Sequence, residues 1–152
     1  MSSITSAIRN ATLTDLPAIK HCAQAAYEPY IRRIGKKPAP MIADFEQHVL
    51  SEQIIVAVED ANIIGYVVYF PIEQSMRLEN VAVLPAYSGR GIGRALIGHV
   101  ESVAGQSGLS TIELYTNALM SENLRLYPKL GYREVDRRTE DGFDRVYFSK
   151  AV

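Results

Sequence analysis

The sequence has little that would attach the chain to a membrane, a nucleic acid or an oxidising compartment. No apolar run approaches the roughly 18 residues that a membrane-spanning helix needs, and the opening MSSITSAIRN lacks the apolar core of a signal peptide. The formal net charge is -1, so no global charge attracts nucleic acid or an anionic membrane. The one cysteine, Cys22, cannot form an internal disulfide, which fits a reducing compartment. These absences favour a soluble cytoplasmic protein.

The proportions of hydrophobic and charged residues are those of one folded domain. Its 152 residues are 47% hydrophobic and 22% charged, which suits a single domain with a sizeable core. No repeat, low-complexity segment or linker divides the chain, so we expect one domain over residues 1–152. The spacing of His21, His48 and His99 suits no metal, and no metal site is predicted.

The order of the elements predicts a mixed α/β fold of the α+β kind. A short strand at SAIRNAT precedes helices over TDLPAIKHCAQAAYEPYI and MIADFEQHVL, and Pro29 should bend or end the first of them. Three meandering strands follow, at QIIVAVE, IIGYVVYFPI and MRLENVAVL, and then a helix over about residues 91–105. A strand at STIELYT, a helix at SENLRLYPKL and a hairpin around EDG complete the order.

One strand–helix–strand connection sets the topology of the predicted sheet. It joins MRLENVAVL to STIELYT, so these two strands should lie parallel. The other neighbouring strands are joined by short turns and should be antiparallel. The expected fold is therefore a mostly antiparallel sheet of six to seven strands, flanked by about four helices.

The stretch VAVLPAYSGRGIGRALI places three glycines, Gly89, Gly91 and Gly93, where a strand meets a helix. A helix N-terminus presents unpaired N–H groups and the positive end of the helix dipole. A loop that turns its own N–H groups inward beside them forms a cradle for an anion. Arg90 and Arg94 add positive charge at its rim. The pattern predicts a phosphate or pyrophosphate site, and a glycine-rich connection without a ligand is the alternative.

Two common nucleotide motifs fit this loop poorly. A Walker A loop needs lysine and then serine or threonine after its last glycine, whereas Gly93 is followed by Arg94 and Ala95. The dinucleotide fingerprint G-x-G-x-x-G needs a glycine where this chain has Arg94. A nicotinamide-dependent oxidoreductase is therefore a weak candidate.

The same stretch resembles the acetyl-coenzyme A binding motif of the GNAT N-acetyltransferases, whose usual core is Q/R-x-x-G-x-G/A. The matching residues are Arg90-Gly91-Ile92-Gly93, preceded by Ser88-Gly89. The segment NLRLYPKLGYREV is similar to a second signature of that family, in which a helix tyrosine precedes lysine, a hydrophobic residue and Gly-aromatic. Together with the element order, the two signatures extend the resemblance over the whole chain.

This resemblance implies an acetyl-CoA-dependent N-acetyltransferase that transfers the acetyl group directly to a primary amine of a small molecule or peptide. A non-catalytic acyl-CoA-binding sensor of the same fold is the alternative, and a homodimer is a further expectation because dimers are common in the family. The family binds the acyl thioester where two parallel strands splay apart at the centre of the sheet. The implied coenzyme-binding residues are Val81, Ala82, Val83, Ser88, Gly89, Arg90, Gly91, Ile92, Gly93, Arg94 and Asn123.

Two positions depart from the family pattern. Ser88 stands where a long Gln or Arg is usual, which implies a weaker contact with phosphate. Met120 stands seven residues before Tyr127, where asparagine is common. Asn123, one helical turn before Tyr127, is the candidate to take over that contact.

Direct acyl transfer needs a neutral amine and a proton for the departing thiolate. The resemblance implies that Tyr127 protonates the sulfur, and a packing role for its ring is the alternative. Glu79 shares a strand face with Val81 and Val83 by the two-residue period, and is the predicted base, acting through a water. Glu113 is the rival base.

The region between the first two helices often shapes the acceptor pocket in this family. The resemblance therefore implies Tyr27, Tyr30 and Met41 as residues that line the site of the amine acceptor. The alternative for this charged segment is a solvated loop.

Overall fold

The chain folds in the predicted order of strand, two helices, three strands, helix, strand, helix and two strands. The computed structural model describes residues 7–152, so Ser6 of the first predicted strand and the start of the N-terminal segment lie outside the described residues. The strands are β1 (Ala7–Asn10), β2 (Ile54–Glu59), β3 (Asn62–Ile72), β4 (Ser75–Val83), β5 (Thr111–Asn117), β6 (Arg133–Glu140) and β7 (Phe143–Ala151). The α-helices are α1 (Leu16–Ile34), α2 (Phe45–Leu50), α3 (Ile92–Gln106) and α4 (Ser121–Lys129).

The strands of residues 7–152 form a seven-stranded mixed sheet in the order β1-β2-β3-β4-β5-β7-β6. β4 and β5 are parallel, with Ser75–Leu78 opposite Thr111–Leu114. The pairs β1–β2, β2–β3, β5–β7 and β6–β7 are antiparallel. The predicted fold class and the predicted parallel pair are confirmed.

The chain divides into two compact units. Within the described residues, unit 1 comprises residues 7–69 and Asn80–His99, and unit 2 comprises Phe70–Glu79 and Val100–Val152. β3, β4 and α3 contribute residues to both units. The expectation of one domain over residues 1–152 stays a prediction.

The core of unit 1 is built from β2, β3 and the apolar faces of α1, α2 and α3. Residues 54–57 of β2 and residues 63–68 of β3 are buried in continuous runs, as expected for strands covered on both faces. The Phe45 ring of α2 meets the Tyr66 ring of β3 edge to face at 5.5 Å. At Gly65 a Cβ atom would lie 3.0 Å from the Ala82 carbonyl oxygen, so only glycine lets β3 and β4 approach this closely.

Helix α1 does not end at Pro29. The helix continues to Ile34 and ends at Gly35, which has a φ of +90°. The Gly35 N–H donates a hydrogen bond to the Ile31 carbonyl. Proline removes one N–H from the helix, and the buried face formed by Ile19, Cys22, Ala23 and Tyr27 holds the preceding turns in place.

Unit 2 packs α4 and the end of α3 on a sheet whose central strand is β5. Ile112 and Leu114 of β5 alternate with half-buried neighbours, and the core continues through Val100 and Val146. The β6–β7 hairpin turns at Asp141 and Gly142, which both have positive φ, as the EDG signal predicts.

Within residues 7–152 no helix has the length and apolar character needed to cross a membrane.

Candidate active site

The three-glycine loop of unit 1 leads into the first turn of α3. Gly89 and Gly91 have φ values of +80° and +81°, a conformation that glycine adopts without strain. The Ala95 N–H donates to the Gly91 carbonyl at 3.0 Å. The N–H groups of residues 92–94 precede that bond and therefore have no partner inside the helix. These N–H groups are the ones from which the predicted anion cradle would be formed.

The space beside the glycines of this loop is open. A Cβ atom built on Gly89 or Gly91 would meet no heavy atom within 4 Å. A Cβ on Gly93 would meet only the Val83 Cγ2 atom, at 3.7 Å. The space that a side chain would fill at Gly89 and Gly91 is therefore open.

Two polar side chains of the loop are engaged locally. The Ser88 hydroxyl donates to the Pro85 carbonyl at 2.6 Å. The Arg90 guanidinium donates to both carboxylate oxygens of Glu59, at 2.8 and 3.3 Å, and lies 5.2 Å from the centre of the Tyr87 ring. The charge of Arg90 is thus compensated by Glu59. Arg94, the other residue predicted for the rim, is exposed on the first turn of α3.

Strand β4 exposes alternate residues, and Glu79, Val81 and Val83 share its half-buried phase, as predicted. Ala82 belongs to the buried phase. The Tyr27 hydroxyl of α1 donates to the Val81 carbonyl at 2.8 Å. Tyr27 is only 7% exposed and is therefore part of the core of unit 1.

Asn80 is a buried polar residue that the sequence does not single out. It is buried in unit 1, where its Oδ1 atom accepts from the Tyr66 hydroxyl at 2.9 Å and from the Tyr27 hydroxyl at 3.3 Å. Its amide also reaches the Pro40 carbonyl at 3.4 Å, next to the half-buried Met41. An amide in the buried phase of an apolar strand is the signal that points to this network.

Tyr30, another residue predicted to line the acceptor site, is half-buried. The Arg33 guanidinium lies 5.0 Å from its ring centre.

In unit 2 the ring of Tyr127 is 4% exposed and packs between Tyr132 and Phe148, at centroid distances of 6.1 and 5.6 Å. Burial raises the pKa of Tyr127 to about 12. Its hydroxyl makes no hydrogen bond to another described residue. The phenol therefore stays protonated at neutral pH.

Asn123 lies on α4, one turn before Tyr127. Its amide donates to the Thr116 hydroxyl of β5 at 3.0 Å, and that hydroxyl donates to the Met120 sulfur at 3.7 Å. Met120 is buried beneath this contact. The carbonyl oxygen of Asn123 is the part of this side chain that can accept a hydrogen bond from a ligand.

Glu79 is held by a tyrosine that the sequence does not identify. The Tyr115 hydroxyl of β5 donates to the Glu79 Oε2 atom at 3.0 Å, and Arg77 Nη1 lies 3.6 Å from the Glu79 Oε1 atom. Glu113, the rival base, is half-buried and lies opposite Arg77 in the parallel pair. Because the chain has nine tyrosines, residue type alone does not point to Tyr115. The strand register, which places Tyr115 beside Glu79, does point to it.

In the described part of the chain, no three His, Cys, Asp or Glu side chains are placed to hold a metal ion.

Comparison with known proteins defines the class of this fold and site. The family model of the acetyltransferase (GNAT) domain matches residues 51–134, which is more than half of the chain. The chain belongs to the GNAT acetyltransferase family. This family uses acetyl-CoA, so the chain is classed as an acetyl-CoA-dependent N-acetyltransferase, and the predicted family and class of activity are confirmed.

Two relatives carry the name [Ribosomal protein bS18]-alanine N-acetyltransferase. The one from Haemophilus influenzae is 33% identical over 81 residues, which are 53% of this chain and 55% of that protein. The match thus spans about half the length of that relative. The one from Escherichia coli K12 is 26% identical over 126 residues, 82% of this chain and 79% of that protein.

A solved structure shows the same fold. The PaiA N-acetyltransferase from Thermoplasma acidophilum, crystallised in complex with coenzyme A, superposes with a TM-score of 0.78 at 19% identity. The match covers 98% of this chain and 100% of that one.

Proposed function

We propose that this protein transfers the acetyl group of acetyl-CoA to the free α-amine at the N-terminus of a protein or peptide. The proposal that acetyl-CoA is the acetyl donor rests on the open glycine turn at the start of α3, where Gly89 and Gly91 have positive φ. The names of the Haemophilus and Escherichia relatives support an N-terminal alanine as the acceptor.

The glycine loop and strand β4 hold the coenzyme in this proposal. Bound acetyl-CoA supplies an activated thioester. The N–H groups from Gly89 to Arg94 bind its phosphates, assisted by the exposed charge of Arg94. Main-chain groups of residues 81–83 bind the pantetheine arm as an added strand would. The Tyr27 hydroxyl fixes the Val81 carbonyl and so keeps this strand in place. The complex of the Thermoplasma protein with coenzyme A supports a coenzyme site on this fold.

Tyr127 donates the proton that the departing thiolate needs. With a pKa of about 12, its phenol stays protonated at every pH at which the enzyme would work. An ordinary thiol has a pKa of ~8.5, so complete proton transfer from such a phenol would cost ~5 kcal/mol. Desolvation raises the pKa of a thiolate that leaves beside this buried ring and reduces the difference. The Asn123 carbonyl oxygen accepts a hydrogen bond from the same coenzyme.

Glu79 accepts the proton of the acceptor amine, directly or through a water. Its carboxylate is ordered by Tyr115 and remains partly exposed, which suits contact with an incoming amine. Glu113 remains the rival, since it lies on the neighbouring strand. Tyr30 and Met41 are half-buried and are the residues proposed to contact the acceptor, whereas Tyr27 is buried and donates to the Val81 carbonyl.

A thiol-release screen tests this function. Purified protein with acetyl-CoA is given, in separate reactions, a short peptide with a free N-terminal alanine, spermidine, free amino acids or an aminoglycoside. We expect release of coenzyme A thiol with the alanine peptide. Release only with a small amine would replace the proposed acceptor class. Binding of acetyl-CoA without thiol release for any acceptor would indicate a non-catalytic acyl-CoA sensor.

A further inference from the structure

We infer that Tyr115 is the positioning residue for Glu79, holding carboxylate oxygen Oε2 so that oxygen Oε1 takes the proton of the acceptor amine. This inference deepens the proposed function and rests on the proposed role of Glu79 as the base. It assigns a task to a tyrosine outside both GNAT signatures of the chain.

The register of β4 and β5 brings the two side chains together. The parallel pairing ends at Leu78 opposite Leu114, and Glu79 and Tyr115 are the next residue of each strand. Each follows a buried leucine, so both lie in the half-buried phase of their strands. The Tyr115 hydroxyl donates to the Glu79 Oε2 atom at 3.0 Å. The contact thus follows from strand register.

The Tyr115 ring is held from two sides. The Arg145 guanidinium of β7 lies 4.5 Å from its ring centre, and the Arg77 guanidinium of β4 lies 6.0 Å away. Both distances fall within the range of cation–π contacts. A ring fixed in this way keeps its hydroxyl aimed at Glu79 and so orders the carboxylate.

The two oxygens of Glu79 have different surroundings. Oε2 accepts the phenol hydrogen bond, whereas Oε1 has Arg77 Nη1 at 3.6 Å, which is too long for a hydrogen bond. The Glu79 side chain is 29% exposed, and Oε1 is the oxygen that the phenol does not bond. In the proton transfer an N–H bond of the ammonium breaks, the proton binds Oε1, and the electron pair stays on the nitrogen as the nucleophile.

Tyr115 does not compete for this proton. Burial and the negative charge of Glu79 raise the pKa of Tyr115, and the opposing effect of Arg145 is smaller. The phenol therefore stays protonated and remains a donor to Glu79 throughout the pH range of catalysis.

A double-mutant cycle tests this inference, with acetyl-CoA and the alanine peptide as substrates for wild type, Tyr115→Phe, Glu79→Gln and the double variant. Tyr147→Phe is the matched control, since Tyr147 lies opposite Tyr115 in the β5–β7 register and donates to Glu140. We expect Tyr115→Phe to lower kcat roughly 10-fold, the effect of one hydrogen bond to a charged group, with no change in acetyl-CoA affinity. In the Glu79→Gln background the same change should alter kcat less than ~2-fold, because the two residues act as a unit.

Additive effects in the cycle, or wild-type kcat in Tyr115→Phe, would overturn the positioning role. If the wild type is active and the cycle is additive, only this inference fails. If the wild type acetylates no acceptor while it binds acetyl-CoA, the proposed function fails and the inference with it. A tyrosine Cζ resonance of Tyr115 that follows a carboxylate titration in wild type, and loses it in Glu79→Gln, would verify the contact in the folded protein independently of turnover.

Discussion

The Ser88 hydroxyl donates a hydrogen bond of 2.6 Å to the carbonyl oxygen of Pro85, three residues earlier in the same turn. The one hydroxyl proton of Ser88 is therefore already used in a hydrogen bond within the protein. At this position the GNAT motif usually has a long Gln or Arg. We therefore expect Ser88→Ala to change the free energy of acetyl-CoA binding by no more than ~0.5–1.5 kcal/mol. Calorimetry measures this change, and a much larger loss would mean that the hydroxyl turns to contact phosphate.

The glycine loop can be tested with a pair of matched substitutions. Gly91 and Gly108 have φ values of +81° and +76°, and neither has a heavy atom within 4 Å of a built Cβ. Alanine at either position should therefore cost a similar ~1–2 kcal/mol of folding free energy through backbone strain. Only Gly91→Ala adds a methyl group in the proposed cradle, so only it should weaken acetyl-CoA binding, by about tenfold or more. Equal affinities for the two folded variants in calorimetry would exclude the cradle.

Tyr127→Phe removes one hydroxyl and keeps the ring that packs on Tyr132 and Phe148. If the phenol protonates the thiolate, turnover should fall by about 10²–10⁴-fold. Acetyl-CoA affinity should change little, because the contribution arises mainly in the transition state. Single-turnover rates and calorimetry separate the two quantities.

The pKa of Tyr127 adds a pH criterion to this test. Since burial raises that pKa to about 12, the phenol should lose its proton only in that region. A fall in turnover between about pH 8 and 10 that occurs in wild type and is absent from Tyr127→Phe would contradict the buried, protonated donor. Near-normal turnover of the variant, with chemistry rate-limiting, would leave Tyr127 a packing residue.

Glu79→Gln should reduce turnover most at low and neutral pH. The α-amine of a peptide has a pKa of ~8, so the amine becomes neutral without a base as the pH rises past that value. The deficit in kcat/KM should therefore shrink between about pH 6.5 and 9, with Glu113→Gln as the parallel variant. A deficit that is equal at every pH would indicate a structural role for Glu79, and a pH-dependent deficit in Glu113→Gln alone would make Glu113 the base.

The order of elements could be predicted because its signals are local. The periodicity of β4, the turn at Asp141 and Gly142 and the glycines before α3 each act within a few residues, and the crossover rule then makes β4 and β5 parallel. The sequence predicts that Pro29 bends or ends α1, but it does not decide between a helix that stops there and one that continues, because tertiary packing of the helix outweighs a local preference.

The polar contacts of the site depend on partners far apart in sequence. The bond from Tyr27 to Val81 and the bond from Tyr115 to Glu79 join residues 54 and 36 positions apart, and no local pattern contains them. For the same reason the pairing of Arg90 with Glu59 changes the charge expected at the loop. Motif positions identify candidate residues, whereas the tertiary structure decides which of their atoms are already engaged.

The most direct test of acetyl transfer to an N-terminal amine is tandem mass spectrometry of the alanine peptide after incubation with protein and acetyl-CoA. The peptide should also contain an internal lysine, and a second peptide with a blocked N-terminus serves as the control. The proposed function predicts one acetyl group on the α-amine of the first peptide and none on the blocked peptide. Acetylation of the lysine in both peptides, or an unchanged mass in both while calorimetry shows bound acetyl-CoA, would contradict it.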